Sequence, residues 1–208
     1  MINFLKKSET NLFLSQDADG LLGLSPKEHR FSGFISHLLN NSIIEKRVFS
    51  LCIGLNGGMF TIGGVNKTLH FEKEIKYVDY KTEDLYKIHL NSIILESNEF
   101  AVKVDTYAGL DTGTTNTYFP VKLYENIYSK IKEYCSYPDR CLGNMLKINN
   151  EICFYKKKSM DLGKFYESMP VIKFNLQNNL EIEWNARSYL HSSIKEKNEY
   201  CLSFHKWE

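Results

Sequence analysis

The sequence lacks an excess of either charge: 26 Lys and Arg face 25 Asp and Glu, a formal net charge of +1. That removes the electrostatic footprint a dedicated nucleic-acid or anionic-membrane binder needs. It also lacks long apolar runs, because no window approaches the roughly 18 to 20 consecutive apolar residues of a membrane span. Met1-Ile-Asn-Phe-Leu-Lys-Lys is not followed by the apolar core of a signal peptide. As written, the chain reads as soluble and untargeted. Neither C-x-x-C nor H-E-x-x-H occurs, and the six histidines are scattered without ligand spacing, so no metal or cofactor is expected. Gly57-Gly58 and Gly63-Gly64 are not followed by a helical pattern, which excludes a phosphate loop. Arginine is scarce, 4 against 22 lysines, whereas asparagine is abundant at 18. In so Asn-rich a chain, the glycosylation-acceptor patterns Asn40-Asn41-Ser42 and Asn66-Lys67-Thr68 are matches that chance supplies.

What the sequence does contain is material for a core: 208 residues, 43% hydrophobic and 13% aromatic, enough for one or two modest domains. From residue 20 onward short apolar runs alternate with turn residues, which predicts a mainly β architecture with a few helices. Val48–Ile53 and Met59–Ile62 flank Leu55-Asn56-Gly57-Gly58, a strong hairpin signal. A second hairpin is expected where Ile172, Phe174 and Leu176 alternate with polar residues, Gln177-Asn178-Asn179 turns, and Leu180, Ile182 and Trp184 resume the alternation. That pairing puts six large apolar side chains on one face.

Helices are expected at about Gly33–Asn41, capped by Ser32, and from Pro120 to about Tyr134, where Tyr124, Ile127, Tyr128 and Ile131 recur at three- and four-residue spacing. The charge-rich stretch 71–87 is poorly periodic and suits a boundary between two lobes. Lys156-Lys157-Lys158 reads as a solvated turn. The five cysteines are Cys52, Cys135, Cys141, Cys153 and Cys201. Five reduced, buried thiols would suit a cytosolic protein; an oxidising compartment would allow at most two bridges, and spacing leaves the pairing open.

The segment that carries chemistry is Ala108-Gly109-Leu110-Asp111-Thr112-Gly113-Thr114-Thr115, an acidic residue at a glycine turn between an apolar strand and a Pro-initiated helix. Its bland reading is a β-turn with an Asp cap. Its functional reading makes Asp111 one member of an aspartic-protease dyad, in which two close carboxylates share a proton and hold a water between them. The ionised member takes a proton from the attacking water while the protonated member donates to the scissile carbonyl oxygen. The hydroxyls of Thr112 and Thr114 are placed to hold the carboxylates, and Gly113 allows close backbone approach.

Several segments in order resemble the pepsin-like aspartic protease family, in particular its apicomplexan members. Asp19-Gly20-Leu21-Leu22-Gly23-Leu24-Ser25, followed by Phe34-Ile35-Ser36-His37-Leu38-Leu39, is similar to that family's N-terminal lobe. Phe49–Ile53 with Asn56–Gly64 resembles the hairpin before the lobe boundary, and Tyr86–Ile93 resembles the strand that opens the C-terminal lobe. Leu110–Thr115 matches the second catalytic motif, and Met169–Phe174 and Trp184–Leu190 look like the late strands. The likeness implies a partial bilobal acid-protease fold, with residues 1–72 ending the N-terminal lobe and 73–208 forming most of the C-terminal lobe. It implies Asp111 as catalytic, Gly113, Thr114 and Thr115 as substrate-binding, and Thr112, Leu21, Leu22 and Gly23 as structural support. It further implies the bridges Cys135–Cys141 and Cys153–Cys201, with Cys52 left over. The setting it implies is the secretory pathway, with the endoplasmic reticulum as the expected compartment, and a peptide or protein as substrate.

Pepsin-like enzymes carry two Asp-Thr/Ser-Gly loops, each supported by an apolar-apolar-Gly segment of its own lobe. Here Leu21-Leu22-Gly23 is expected to support a loop lying before Met1, and Asp111 to need a support lying beyond Glu208. A homodimeric, retropepsin-like arrangement fits poorly, because such a chain would carry its own apolar-apolar-Gly after Asp111. The expected function is therefore aspartic endopeptidase chemistry present as a fragment. The alternative is a catalytically incomplete remnant that binds a peptide or a partner chain.

Overall fold

The computed structural model describes residues 22–26, 33–54, 56–69, 75–82, 85–148, 151–193 and 196–207. The fold is mostly β. The chain divides into two compact units, one running up to Tyr77 with Lys81–Tyr86 added, the other made of Val78–Tyr80 and Lys87–Glu208.

In the first unit, helix α1 (Phe34–Asn40) buries Ile35 and Ser36. Gly33 occupies its N-cap without a side-chain bond, and Ser32, the expected cap, lies outside the described residues. Strands β1 (Phe49–Gly54) and β2 (Gly57–Ile62) pair antiparallel from Phe49 opposite Ile62 to Gly54 opposite Gly57. Gly57 adopts φ +122°, a conformation costly for any residue with a Cβ. A Cβ on Gly58 would overlap the Cys52 carbonyl oxygen, so the Gly-Gly pair is required twice over. Phe49 anchors the hairpin edge-on to Phe60 and Tyr86, with centroids 6.1 and 5.8 Å away, and the Tyr86 hydroxyl donates to the Leu24 carbonyl at 3.0 Å. A 3₁₀ turn at Lys67–Leu69 follows.

The short strand β3 (Tyr80–Thr82) is shared between the units; β4 (Tyr86–Leu95), in the second unit from Lys87 on, pairs with the long β5 (Ser97–Leu110). β6 (Thr117–Pro120) leads into helix α2 (Val121–Tyr134). Pro120 sits at the N-cap, one position before the helix it was expected to begin. Helix α2 buries Tyr124, Ile127 and Ile131 of the expected stripe, leaves Tyr128 half-buried, and buries Tyr134 as well. Then come β7 (Gly143–Ile148), β8 (Glu151–Lys156), α3 (Leu162–Glu167), β9 (Ile172–Leu176) and β10 (Glu181–Trp184). The chain continues through α4 (Ala186–Tyr189), β11 (Leu190–Ser192), β12 (Glu199–Leu202) and β13 (Phe204–Trp207).

One sheet places β9 between β10 and β4; a second runs β11-β12-β8-β7, all antiparallel; β13 and β6 form a parallel pair. Ile93, Leu95, Phe100, Ile127, Phe154 and Phe204 lie at the centre of the core.

The β9–β10 hairpin forms in the expected register, with Ile182 opposite Phe174 and Trp184 opposite Ile172. Asn178 and Asn179 supply the left-handed turn at φ 58° and 55°. The apolar face is not uniformly buried, however: Ile172 and Leu176 are buried, whereas Ile182 is 47% exposed because β10 is an edge strand.

Lys156 departs from its expectation as well. The alternation of β8 turns it inward, where its ammonium donates to the Met160 carbonyl at 2.7 Å and the Lys157 carbonyl at 3.2 Å. Only Lys157 and Lys158 of the basic run are exposed.

Two disulfides are present, Cys135–Cys141 and Cys153–Cys201, the latter between directly opposed residues of β8 and β12. Cys52 is a free, exposed thiol on β1, so the all-reduced, all-buried reading of the cysteines does not hold.

Candidate active site

Strand β5 ends at Leu110, the chain turns through residues 111–116, and β6 carries it into α2. At the turn, Asp111 folds back on its own loop. The Gly113 N–H donates to Oδ1 at 2.9 Å, and the Thr114 hydroxyl donates to Oδ2 at 2.5 Å. The Thr114 N–H closes the turn on the Asp111 carbonyl at 3.4 Å. A Cβ at Gly113 would come within 3.2 Å of Oδ1, so a larger residue there would press on the carboxylate. Both carboxylate oxygens are thus engaged locally by donors that favour the charged form. The Thr114 hydroxyl, and after it the Gly113 N–H, hold the Asp111 carboxyl below the ordinary aspartate range, against a small opposing effect of desolvation.

The residues from Asp111 to Thr115 are all exposed. Thr112 is not among the carboxylate's hydrogen-bond donors; Thr114 alone supplies a hydroxyl. Among the described residues no second carboxylate meets Asp111. Leu22 and Gly23 belong to the first unit, while Asp111 to Thr115 belong to the second; Leu21 lies outside the described residues.

The position of the loop depends on a feature that sequence reasoning missed. β6, the strand leaving the loop, is seated on β13 in parallel register, from Thr117 opposite Phe204 to Pro120 opposite Trp207. The Thr117 N–H donates to the Ser203 carbonyl at 3.1 Å, and the Ser203 N–H donates to the Tyr189 carbonyl at 2.8 Å. Phe204 locks this pair to the core through Phe119, Trp184, Tyr124 and Tyr189, with ring centroids 5.6, 5.7, 6.3 and 6.5 Å away. Outside the core, Tyr118 meets Trp207 edge-on at 6.2 Å. The available signal was the alternation of Leu202 and Phe204 with the polar Ser203 and His205, too short to distinguish a strand from a tail.

Glu151, Cys153 and Cys201 bring potential ligand atoms within 4.8 Å of one another. The two sulfurs are bonded to each other, so they offer no thiolate to a cation. No helix among the described residues is long and apolar enough to cross a membrane.

A family model, "eukaryotic aspartyl protease", matches residues 2–206. Aspartic protease 5 of Toxoplasma gondii is 41% identical over 63 residues, 29% of this chain and 6% of that protein. Pepsin II-1 of Oryctolagus cuniculus is 25% identical over 206 residues, covering 96% of this chain and 47% of the relative. Plasmepsin V of Plasmodium falciparum is 23% identical over 279 aligned residues, covering 95% and 46%. The chain therefore spans less than half the length of these relatives.

Proposed function

The chain belongs to the eukaryotic aspartyl protease family, and from that membership we propose that it contributes Asp111 as one of the two carboxylates of an aspartic endopeptidase. The supporting observation is the paired hydrogen bonding of Asp111 by Gly113 and Thr114, which stabilises the carboxylate in its ionised form. That suits the member of the pair that accepts a proton from the attacking water. The other member, supplied by a second Asp-Thr/Ser-Gly loop, carries the shared proton and donates it to the carbonyl oxygen. Gly113, Thr114 and Thr115 line the approach of the peptide. Thr112 supports its own loop, and Leu21-Leu22-Gly23 supports the loop of the other carboxylate. Residues 1–72 end one lobe and 73–208 make most of the other.

Two disulfides suit an oxidising compartment, and pepsin-like relatives suit a secreted or secretory-pathway protein. Within that pathway we assign the endoplasmic reticulum. A second reading follows from the sequence: the 208 residues hold a single Asp-Thr-Gly. A lone ionised carboxylate cannot share a proton, so on its own the loop binds peptide without cleaving it.

The deciding experiment measures peptide cleavage by the chain joined to a segment bearing a second Asp-Thr/Ser-Gly loop, for the parent sequence and Asp111→Asn. Loss of acid–base catalysis predicts a fall of at least about 10²-fold; undiminished cleavage would refute the assignment of Asp111. The 208 residues alone should show no cleavage that Asp111→Asn abolishes.

A further inference from the structure

We propose that Asn66 is a glycosylation acceptor, modified at its side-chain nitrogen by a lipid-linked oligosaccharide; this rests on the secretory-pathway reading above. Two segments fit the acceptor pattern in sequence, and the fold separates them. Asn66 precedes the 3₁₀ turn Lys67–Leu69; its backbone carbonyl accepts from the Leu69 N–H at 3.3 Å, and its side chain caps the turn through the amide oxygen. Oδ1 accepts from the Thr68 N–H at 3.1 Å and from the Thr68 hydroxyl at 2.7 Å. The amide nitrogen faces the Met59 thioether at 3.4 Å, a weak acceptor that holds one of its two N–H bonds. The cap and the modification therefore use different atoms of one side chain. A glycosylated asparagine keeps its carbonyl oxygen, so the cap survives. Asn66 is itself half-buried, and the Lys67, Thr68 and Leu69 that follow it are exposed.

The other candidate is built into a helix end. Asn40 is the last residue of α1, and Asn41 caps that helix by donating from its side chain to the His37 carbonyl at 2.8 Å. Ser42, whose hydroxyl would be read by the transferase, is fixed at φ 55° with its N–H on the Leu39 carbonyl.

In the transfer step, Asn66 Nδ2 forms a bond to the anomeric carbon of the first sugar. The bond from that carbon to a polyprenyl diphosphate breaks, the diphosphate departs with the electron pair, and the amide proton passes to a base of the transferase.

The test directs the full chain into the lumen of a glycosylation-competent eukaryotic cell behind a heterologous signal sequence, with a reporter acceptor sequence appended after Glu208. Amide-cleaving glycosidase should collapse two mobility steps, one from the reporter and one from Asn66. Asn66→Gln and Thr68→Ala should each lose one step; Asn40→Gln and Thr68→Ser should retain both. Modification of the reporter alone, or loss of a step with Asn40→Gln instead, would overturn the proposal. Because the signal sequence forces delivery, the result tests the site. Glycan on the recombinant chain but none on the protein from its own cells would count against the compartment.

Discussion

Replacing Phe204 with alanine tests whether the β6–β13 pair ties the Asp111 loop to the core. The ring is 1% exposed and meets four other rings, those of Phe119, Trp184, Tyr124 and Tyr189. Phe→Ala substitutions in cores cost about 3–5 kcal/mol, and edge-on aromatic pairs add roughly 0.5–1.5 kcal/mol beyond burial. With four ring partners the expected loss lies in the upper part of that range, about 4–5 kcal/mol. Urea unfolding reads it as a lowered midpoint at unchanged slope. Hydrogen exchange reads the link to the site: the Thr117 N–H, bonded to the Ser203 carbonyl, should lose protection together with the Gly113 N–H, bonded to Asp111. The control is Trp207→Ala on the same strand, 70% exposed and expected to cost about 0.5 kcal/mol or less. A Phe204→Ala loss no larger than the control's, or unchanged exchange at Thr117, would refute the reasoning.

Thr114→Val removes the largest cause of the lowered Asp111 pKa, so carboxyl resonance titration should show that pKa moving up toward the ordinary aspartate value; no upward movement would count against the site geometry. The sign for stability follows: a carboxyl depressed by folding stabilises above its unfolded pKa, and that contribution fades as pH falls through the folded value. Thr114→Val should therefore flatten the acid side of the stability profile. Loop-closure entropy makes opening Cys153–Cys201, 48 residues apart, cost about 4 kcal/mol, and opening Cys135–Cys141, 6 residues apart, about 2 kcal/mol. Denaturant titration of the paired Cys→Ser variants checks that order, and the reverse order would contradict it. Lys156→Met leaves the Met160 carbonyl without its donor and should cost roughly 1–3 kcal/mol; a more stable variant would mean that desolvation of the ammonium outweighs its two hydrogen bonds.

Where sequence and structure agree, the signal is local. Asn56-Gly57-Gly58 determines its hairpin because φ +122° at Gly57 and the crowding of Gly58 against Cys52 leave no other residue type there. The stripe of α2 is legible because a 14-residue helix gives periodicity time to repeat. Where they part, a non-local partner decides. Lys156 looks like one of three solvated lysines until the inward face of β8 and the Met160 carbonyl claim it. Ile182 looks like core until β10 turns out to be an edge strand. The parallel contact of β13 with β6 joins residues some 87 positions apart in sequence, and no pattern within four residues announces it. Asp111 itself is legible, because its partners Gly113 and Thr114 lie two and three residues away.

That locality has a consequence for the chemistry. Among the described residues, the hydrogen bonds the Asp111 carboxylate accepts come from its own turn, so the loop organises an anion locally. Organising an anion is half of what peptide hydrolysis by paired carboxylates requires. The other half is a proton held at the same pH on a neighbouring acid, and local donors such as Thr114 and Gly113 oppose that by favouring the charged form. Only a second carboxylate, close enough that both cannot ionise together, raises one pKa of the pair while leaving the other low. On the function proposed above, Asp111 takes the basic role and the acidic role falls to a second Asp-Thr/Ser-Gly loop. Titration of the assembled pair should show two separated steps where the isolated loop shows one; a single unshifted step in an active assembly would mean that the two aspartates do not share a proton.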